Sequence, residues 1–367
     1  MKQRIRVGLL FGGKSAEHEV SLQSARNIYG ALNPNKYETL LIGIDKEGRW
    51  HTFAPESWLE APEDPKRIAL GASSDEVALT HAGPAGELVR VDAHGRVGGL
   101  DVVFPVVHGT GGEDGALQGL LTLMDIPFVG AGVLGSAVGM DKAVMKALLR
   151  DAGIPTAKAA VLRDEQPFDL DAVAAAIGLP CFVKPANQGS SVGISKVKER
   201  EALDEAVQLA FEFDGKVLVE EFIEGREIEC AVLGNDDPEA SIAGEIIPHH
   251  EFYSYEAKYI DDDGAALAIP ADLPEDTMAR VQAMAIEAFN ALDCAGMARV
   301  DFFLQEDGAL LLNEINTIPG FTRISMYPKL WEASGIGYSE LVDRLIKLAL
   351  ERHGRQSARK THYDLGD

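Results

Sequence analysis

An α/β fold of two or three domains is the expectation for this chain, and three observations carry it. Its 367 residues are too many for one small core. Apolar residues make up 46% and charged residues 25%, the balance of a soluble globular protein. The N-terminal part alternates strand-like apolar runs with a helix, the pattern of a small parallel sheet with helices on its faces.

Residues 5–11 read as a buried strand, closed by a glycine turn and followed by a helix over about 15–32. Tyr37–Ile44 and residues 102–107 read as further strands, while 60–97, with weak patterning and Gly and Asp clusters, read as a loop-rich or hairpin insertion. A second unit begins near Ala131. Its helix over 140–152 stops at Gly153-Ile-Pro155, and strands at 180–185 and 217–221 flank a Gly/Ser loop, a segment at 192–197 and a helix near 199–213. A third unit holds strands at 227–233 and 243–247, a polar loop over 249–265, a helix at 276–292 and two strands around Asp301 and Glu314.

Composition excludes several functions. With 34 basic and 58 acidic residues the formal charge is -24, so the surface repels nucleic-acid backbones and anionic membranes. Any phosphate must be held by a local pocket of Lys, Arg, backbone N–H or metal. Cys181, Cys230 and Cys294 lack metal-ligand spacing and read as buried free thiols in a reducing compartment. The apolar run after Met1 breaks at Gly12-Gly13-Lys14, too early for a signal peptide, and no stretch is long enough to span a bilayer. A soluble, cytoplasmic protein is expected.

Two short motifs are set aside. Gly8-Leu-Leu-Phe-Gly-Gly13-Lys14-Ser15 matches the pattern of a phosphate-binding P-loop, but Leu9, Leu10 and Phe11 belong to a strand, and exposing them on a loop would be costly. Gly130-Ala-Gly132-Val-Leu-Gly135 matches a dinucleotide fingerprint, yet the acid that should follow at a strand tip, Asp151, lies at a helix end. A domain-crossing turn is the better reading.

The strongest chemical signal is Arg299-Val-Asp301, an apolar run, Asp307-Gly308, a second apolar run, then Glu314-Ile-Asn316. Asp-Gly between apolar runs marks a hairpin. If Asp307 and Gly308 are its two-residue turn, Glu306 pairs with Ala309, Asp301 faces Glu314 and Arg299 faces Asn316. Side chains two apart share a face, so all four cluster on one surface. Two facing carboxylates plus an amide oxygen suit Mg2+, and Arg299 stands beside them to hold a phosphate or oxyanion. The alternative is a charge cluster or ion pair, but directly opposed carboxylates repel unless a cation or proton intervenes. A second signal is Lys184 followed by Gly189-Ser190-Ser191-Val-Gly193, a strand end and a loop whose N–H groups and hydroxyls suit phosphate oxygens. A third is Glu220-Glu221-Phe222-Ile223-Glu224-Gly225-Arg226-Glu227, an acidic hinge able to meet adenine and ribose.

In this order these segments resemble an ATP-grasp enzyme. Gly12-Gly13-Lys14-Ser15-Ala16-Glu17-His18-Glu19, His108-Gly109-Thr-Gly-Gly-Glu113-Asp114-Gly115, Tyr253-Ser-Tyr255-Glu256-Ala-Lys258-Tyr259 and Asn316-Thr-Ile-Pro-Gly320-Phe-Thr322 narrow the resemblance to the D-alanine–D-alanine ligases, from the first strand to about residue 345. The resemblance implies a three-domain architecture: an N-terminal parallel-sheet domain, 1–130, with the first D-alanine site, and two α+β domains, 131–220 and 221–367, that clamp ATP. Lys142, Lys184 and Ser191 would bind phosphates. Glu220, Ile223 and Glu227 would hold adenine and ribose, with Phe222 against the base where relatives often carry tryptophan. Asp301, Glu314 and Asn316 would take Mg2+, or Mn2+ in its place. Arg299 and the Gly320 amide would form the oxyanion hole. Glu17, with His108 nearby, would bind the first ammonium, and Lys258, Ser325 and Met326 the second substrate. Glu17, Ser190 and Tyr259 would close the site across three domains. The implied reaction joins two D-alanines through a D-alanyl phosphate for peptidoglycan precursors, in a homodimer. Tyr259 favours an amine acceptor over D-lactate, the competing reading within the class; a P-loop NTPase using Lys14 is the competing reading outside it.

Overall fold

Strand Ile5–Gly12 is apolar toward both faces, with Val7, Leu9, Leu10 and Phe11 fully buried, so it belongs inside a sheet covered on both sides. The computed structural model describes residues 4–81, 86–92, 95–248 and 265–360, and there this strand pairs in parallel with Tyr37–Ile44 on one side and Val102–Pro105 on the other. Three strands make up the parallel part, continued beyond Val102–Pro105 by a single parallel bridge between Val103 and Phe128. Antiparallel strands Trp50–Phe53, Asp75–Thr80, Glu87–Arg90 and Arg96–Gly99 extend it to seven. Residues 60–97, expected as an insertion, therefore complete one edge of the sheet. Gly8 lies within the first strand, paired with Leu40, and Lys14 is exposed beyond it, which removes the P-loop reading. The first helix, His18–Ala31, starts three residues later than expected, because residues 13–17 turn back so that the Ser15 hydroxyl donates to the His108 carbonyl.

A four-stranded antiparallel sheet follows, in the order Ala159–Arg163, Lys216–Glu221, Cys181–Pro185, Ser195–Val197. Helices Leu170–Ile177 and Leu203–Phe211 cover it, and its core, which includes Val183, Val197, Val207 and Val219, is separate from the others. The five-stranded antiparallel sheet runs Ala265–Ala268, Glu239–Pro248, Arg226–Gly234, Gly296–Leu304, Leu310–Asn316. Ile228, Cys230, Val232, Val300 and Phe302 point to one side, against helix Glu275–Ala291. Val138, Met145, Leu149 and Ile154 join that same core, so helices Val133–Met140 and Lys142–Asp151 pack with the third sheet and not with the second. Gly135 shows why the Gly-rich stretch there is glycine: a Cβ would lie 2.5 Å from the Asp293 carbonyl.

The hairpin has the expected pairing at its functional end and a different one at its tip. Arg299 faces Asn316 and Asp301 faces Glu314, but Phe302 pairs with Leu312 and Leu304 with Leu310. The turn holds three residues, 306–308, closed by Gln305 and Ala309, with Gly308 at φ 83. One extra residue, Asn313, then bulges and restores the register. The cause is parity. Leu310, Leu312 and Ile315 are all buried, which an uninterrupted alternation cannot achieve while it keeps Glu314 and Asn316 out of the core.

Phe11 and Phe104 of the N-terminal sheet and Leu22 of the helix packed on it share one core with Leu233, Met297, Phe321, Tyr327, Trp331 and Leu345, so helices Met326–Ala333 and Tyr338–Ser357 bind the first and third sheets into one body. All three cysteines are buried and free. Among the described residues no helix is long and apolar enough to cross a membrane.

Candidate active site

The face of the five-stranded sheet that is not packed on helix Glu275–Ala291 carries the polar residues. Alternation places Glu227 and Glu229, Arg299 and Asp301, and Glu314 and Asn316 on that face, lining a cleft. Register sets Glu229, Asp301 and Glu314 abreast across three strands. Three adjacent carboxylates need positive charge between them. Arg299 supplies part of it: its Nε and Nη2 donate to the two Asp301 oxygens, both at 2.7 Å, and its Nε lies 3.0 Å from Glu229. The Asn316 amide donates to Asp301 at 3.0 Å, and the Lys142 ammonium stands 3.8 Å from Glu314. Among the described residues no group of three or more His, Cys, Asp or Glu is gathered as for a metal ion. By chemical type, the facing carboxylates of Asp301 and Glu314 and the Asn316 amide oxygen fit a hard oxygen-preferring cation that keeps water or phosphate ligands, although in this structure Arg299 engages Asp301.

Lys142 opens helix Lys142–Asp151, whose N-cap Asp141 accepts from the Ala143 and Val144 amides. Its ammonium donates to the Gln188 carbonyl at 2.7 Å, tying it to the Gly/Ser loop. Ser190 and Ser191 both hold positive φ, 50 and 63, which aims the loop toward the cleft, and the Ser190 hydroxyl donates to Glu17. A Cβ at Gly189 would lie 3.0 Å from the Glu17 carboxylate, a tight contact that the Glu17 side chain would have to give way to by a few tenths of an ångström. Glu17, Gly320, Ser325 and Met326 line the cleft with the residues already named; the Ser325 hydroxyl accepts the Thr322 amide at 2.9 Å.

Some expected residues stand elsewhere. Glu220 is 3% exposed, and its carboxylate lies 2.8 Å from Lys184 and 2.9 Å from Lys146, so in this conformation it bridges two lysines where an adenine contact was expected. Burial would raise its pKa, but the two ammonium groups hold it below the usual carboxylate range. Burial likewise lowers Lys146, against the pull of Glu220. Phe222 packs against Phe182, centroids 6.0 Å apart, with the Lys196 ammonium 4.0 Å over its ring; Ile223 is half-buried beside it. His108 is buried behind Glu17 and does not line the cleft; burial lowers its pKa against the Glu17 charge and the Ile318 carbonyl. Lys258 and Tyr259 lie outside the described residues.

Three residues were missed. Glu229 is signalled by the Glu227-x-Glu229 spacing on a strand, and Lys146 by its position four residues after Lys142 on one helix face. Glu113 belongs to the His108–Gly115 motif, whose sequence alone gives no sign of what it contacts. Its two oxygens accept the Gly109 amide at 2.7 Å and the Ile318 amide at 3.1 Å, and burial together with the Glu17 charge pushes its carboxyl up to about 8.

A cleft on one face of the five-stranded sheet, with a row of carboxylates on that face, Lys142 beside it and the Gly/Ser loop of the four-stranded unit reaching over it, defines an ATP-grasp ligase. Residues 6–131 match the family model described as D-ala D-ala ligase N-terminus, and 148–347 that of D-ala D-ala ligase C-terminus. The chain is 56% identical to a D-alanine–D-alanine ligase A of Chromobacterium violaceum, covering 95% of this chain and 96% of the relative, and 53% identical to a D-alanine–D-alanine ligase of Oceanobacillus iheyensis, covering 97% and 98%. The structure of the Coxiella burnetii D-alanine–D-alanine ligase superposes with a TM-score of 0.82 at 40% identity, over 96% of each chain. That of the VanG D-Ala:D-Ser ligase of Enterococcus faecalis gives 0.81 at 36%, over 95% of this chain and 100% of that one. The chain belongs to the D-alanine–D-alanine ligase family.

Proposed function

We propose that this protein joins two D-alanines to D-alanyl-D-alanine at the expense of ATP, through a D-alanyl phosphate. The observation that carries the site chemistry is the single face holding Arg299, Asp301, Glu314 and Asn316, opposite Lys142 and the Ser190 loop. Asp301, Glu314 and Asn316 would hold Mg2+, which when bound supplies charge neutralisation for the phosphates.

The carboxylate of the first D-alanine attacks the γ-phosphorus of ATP and ADP leaves, converting a poor leaving oxygen into the good leaving group of an acyl phosphate, a mixed anhydride. Lys142 and Lys184 bind the phosphates, with Glu220 and Lys146 fixing where Lys184 points. Glu17 holds the first ammonium. The amine of the second D-alanine then attacks the acyl carbon, the oxyanion that forms is met by Arg299 and the Gly320 amide, and phosphate departs. Ser190 on Glu17 keeps the loop closed over the intermediate, which water would otherwise hydrolyse. The protein works as a homodimer in the cytoplasm and feeds peptidoglycan precursor synthesis.

The test is phosphate release from Mg-ATP with D-alanine, with L-alanine, and with D-alanine mixed with D-lactate or D-serine, products being identified by mass. Release that requires D-alanine, with D-alanyl-D-alanine dominating the mixtures, is the expected result. Turnover indifferent to D-alanine would overturn the reading. A dominant mixed product would reassign the acceptor.

A further inference from the structure

We propose that Glu113 is a positioning residue that, together with His108, holds the Ile318 peptide from both sides and thereby sets the Gly320 amide for the second chemical step. The proposal rests on the ligase reading above. Ile318 sits midway between Asn316 and Gly320, so any shift of its peptide moves both neighbours. Its N–H donates to Glu113 Oε1 at 3.1 Å, and its carbonyl oxygen accepts from His108 Nδ1 at 3.0 Å. The two side chains come from the N-terminal domain, 205 and 210 residues away in sequence. Each is itself fixed. The other Glu113 oxygen accepts the Gly109 amide at 2.7 Å. A carbonyl can only accept, so the His108 proton is on Nδ1, and Nε2 is left to accept from the Ser24 hydroxyl at 3.3 Å. Ser24 in turn accepts the Phe321 amide at 3.1 Å.

The far side of Gly320 is held too. The Phe321 carbonyl accepts from the Asn27 amide at 2.9 Å and the Tyr338 hydroxyl at 2.8 Å. Backbone groups two residues before Gly320 and one residue after it are thus bonded to side chains, four of the five from the N-terminal domain. Gly320 itself lines the cleft. A backbone donor gains catalytic value only when its direction is fixed before the charge develops, and a misplacement of about 1 Å costs about 100-fold in rate. The domain that carries Glu17 therefore also aims the Gly320 amide.

The test compares Glu113→Ala and Glu113→Gln with the wild type in the full-length enzyme, measuring kcat, KM for ATP and D-alanine, thermal midpoint, and dipeptide formed per phosphate released. The expected result is a fall in kcat of about 100-fold for Glu113→Ala. Glu113→Gln, which keeps one acceptor, should lose less. KM for ATP should stay within about twofold, and dipeptide per phosphate should fall because the acyl phosphate waits longer. Wild-type kcat in Glu113→Ala, or a loss accompanied by a lowered thermal midpoint with an unchanged dipeptide-to-phosphate ratio, overturns the proposal. Should Glu113→Ala fail to fold, Ser24→Ala removes the hydroxyl linking His108 to Phe321; a kcat loss of about tenfold with unchanged KM for ATP supports the clamp, and wild-type kcat overturns it. A wild-type enzyme that makes no dipeptide would sink the ligase reading instead, a separate outcome.

Discussion

The Ser190 hydroxyl donates to the Glu17 carboxylate across 173 residues of sequence, joining a loop of the four-stranded unit to the start of the first helix. The four-stranded unit has its own core, and this bond helps to keep its loop down over the cleft. Ser190→Ala should raise KM for D-alanine about tenfold and release more phosphate than dipeptide. Parallel phosphate and dipeptide assays decide it; tight coupling in the variant would deny the bond a closing role.

Arg299 is held as a fork between Glu229 and Asp301. A lysine can keep the charge but not the two parallel bonds. Arg299→Lys should lower kcat by about 100-fold or more while nucleotide affinity, read by calorimetry, changes little. A variant with near-normal kcat would show that Arg299 serves only to neutralise the acids.

Glu220 between Lys184 and Lys146 is an ion triad buried from water. Removing the central acid strands two ammonium groups, so Glu220→Ala should cost about 3–5 kcal/mol in chemical denaturation. Lys146→Met, which leaves a paired Glu220 and Lys184, should cost clearly less. Equal losses would mean the triad acts through packing volume alone.

Burial raises the pKa of Asp343, but hydrogen bonds from Lys347, Lys36 and Tyr37 hold it far below the usual carboxylate range. With the folded value below the unfolded one, the stabilisation is present above the ordinary Asp pKa and is lost as pH falls through that range toward the folded value. Asp343→Asn should therefore lower stability at pH 7 and flatten the acid side of the stability–pH curve, measured by urea titration at several pH values.

Glu314 faces Asp301 and stands opposite Lys142. Glu314→Gln should raise the Mg2+ concentration needed for half-maximal turnover by at least about tenfold, and chelation should abolish turnover in both forms. Lys14→Ala should leave nucleotide binding intact, since Lys14 is exposed beyond a strand.

Local pattern revealed much of this arrangement. The first strand, the pairing of Asp301 with Glu314 and the burial of the three cysteines follow from apolar periodicity and spacing. A two-residue turn at Asp307-Gly308 is one residue shorter than the real one, and the bulge at Asn313 offsets the difference, so both give the same pairing of Asp301 with Glu314. The buried positions Leu310, Leu312 and Ile315 change parity and so contained the correction. Glu113, Glu229 and Lys146 escaped because each acts through a partner distant in sequence. So did the turn of Glu220 toward Lys146, which depends on a helix from outside its own sheet. The antiparallel edge of the first sheet was hidden by short strands with mixed polarity, whose pairing is fixed by the neighbouring strand more than by their own residues.

The bulge at Asn313 gives insertions and deletions unequal fates along this hairpin. A residue gained or lost among 306–308 alters only the length of an exposed turn, and both ladders beyond it can keep their partners. Loss of Asn313 itself would shift the frame of everything after it, sending the two acceptors Glu314 and Asn316 into the leucine-rich side and Ile315 into the cleft. A lineage carrying this enzyme is thus free to drift at the tip of the hairpin and is locked to its residue count a few positions further on.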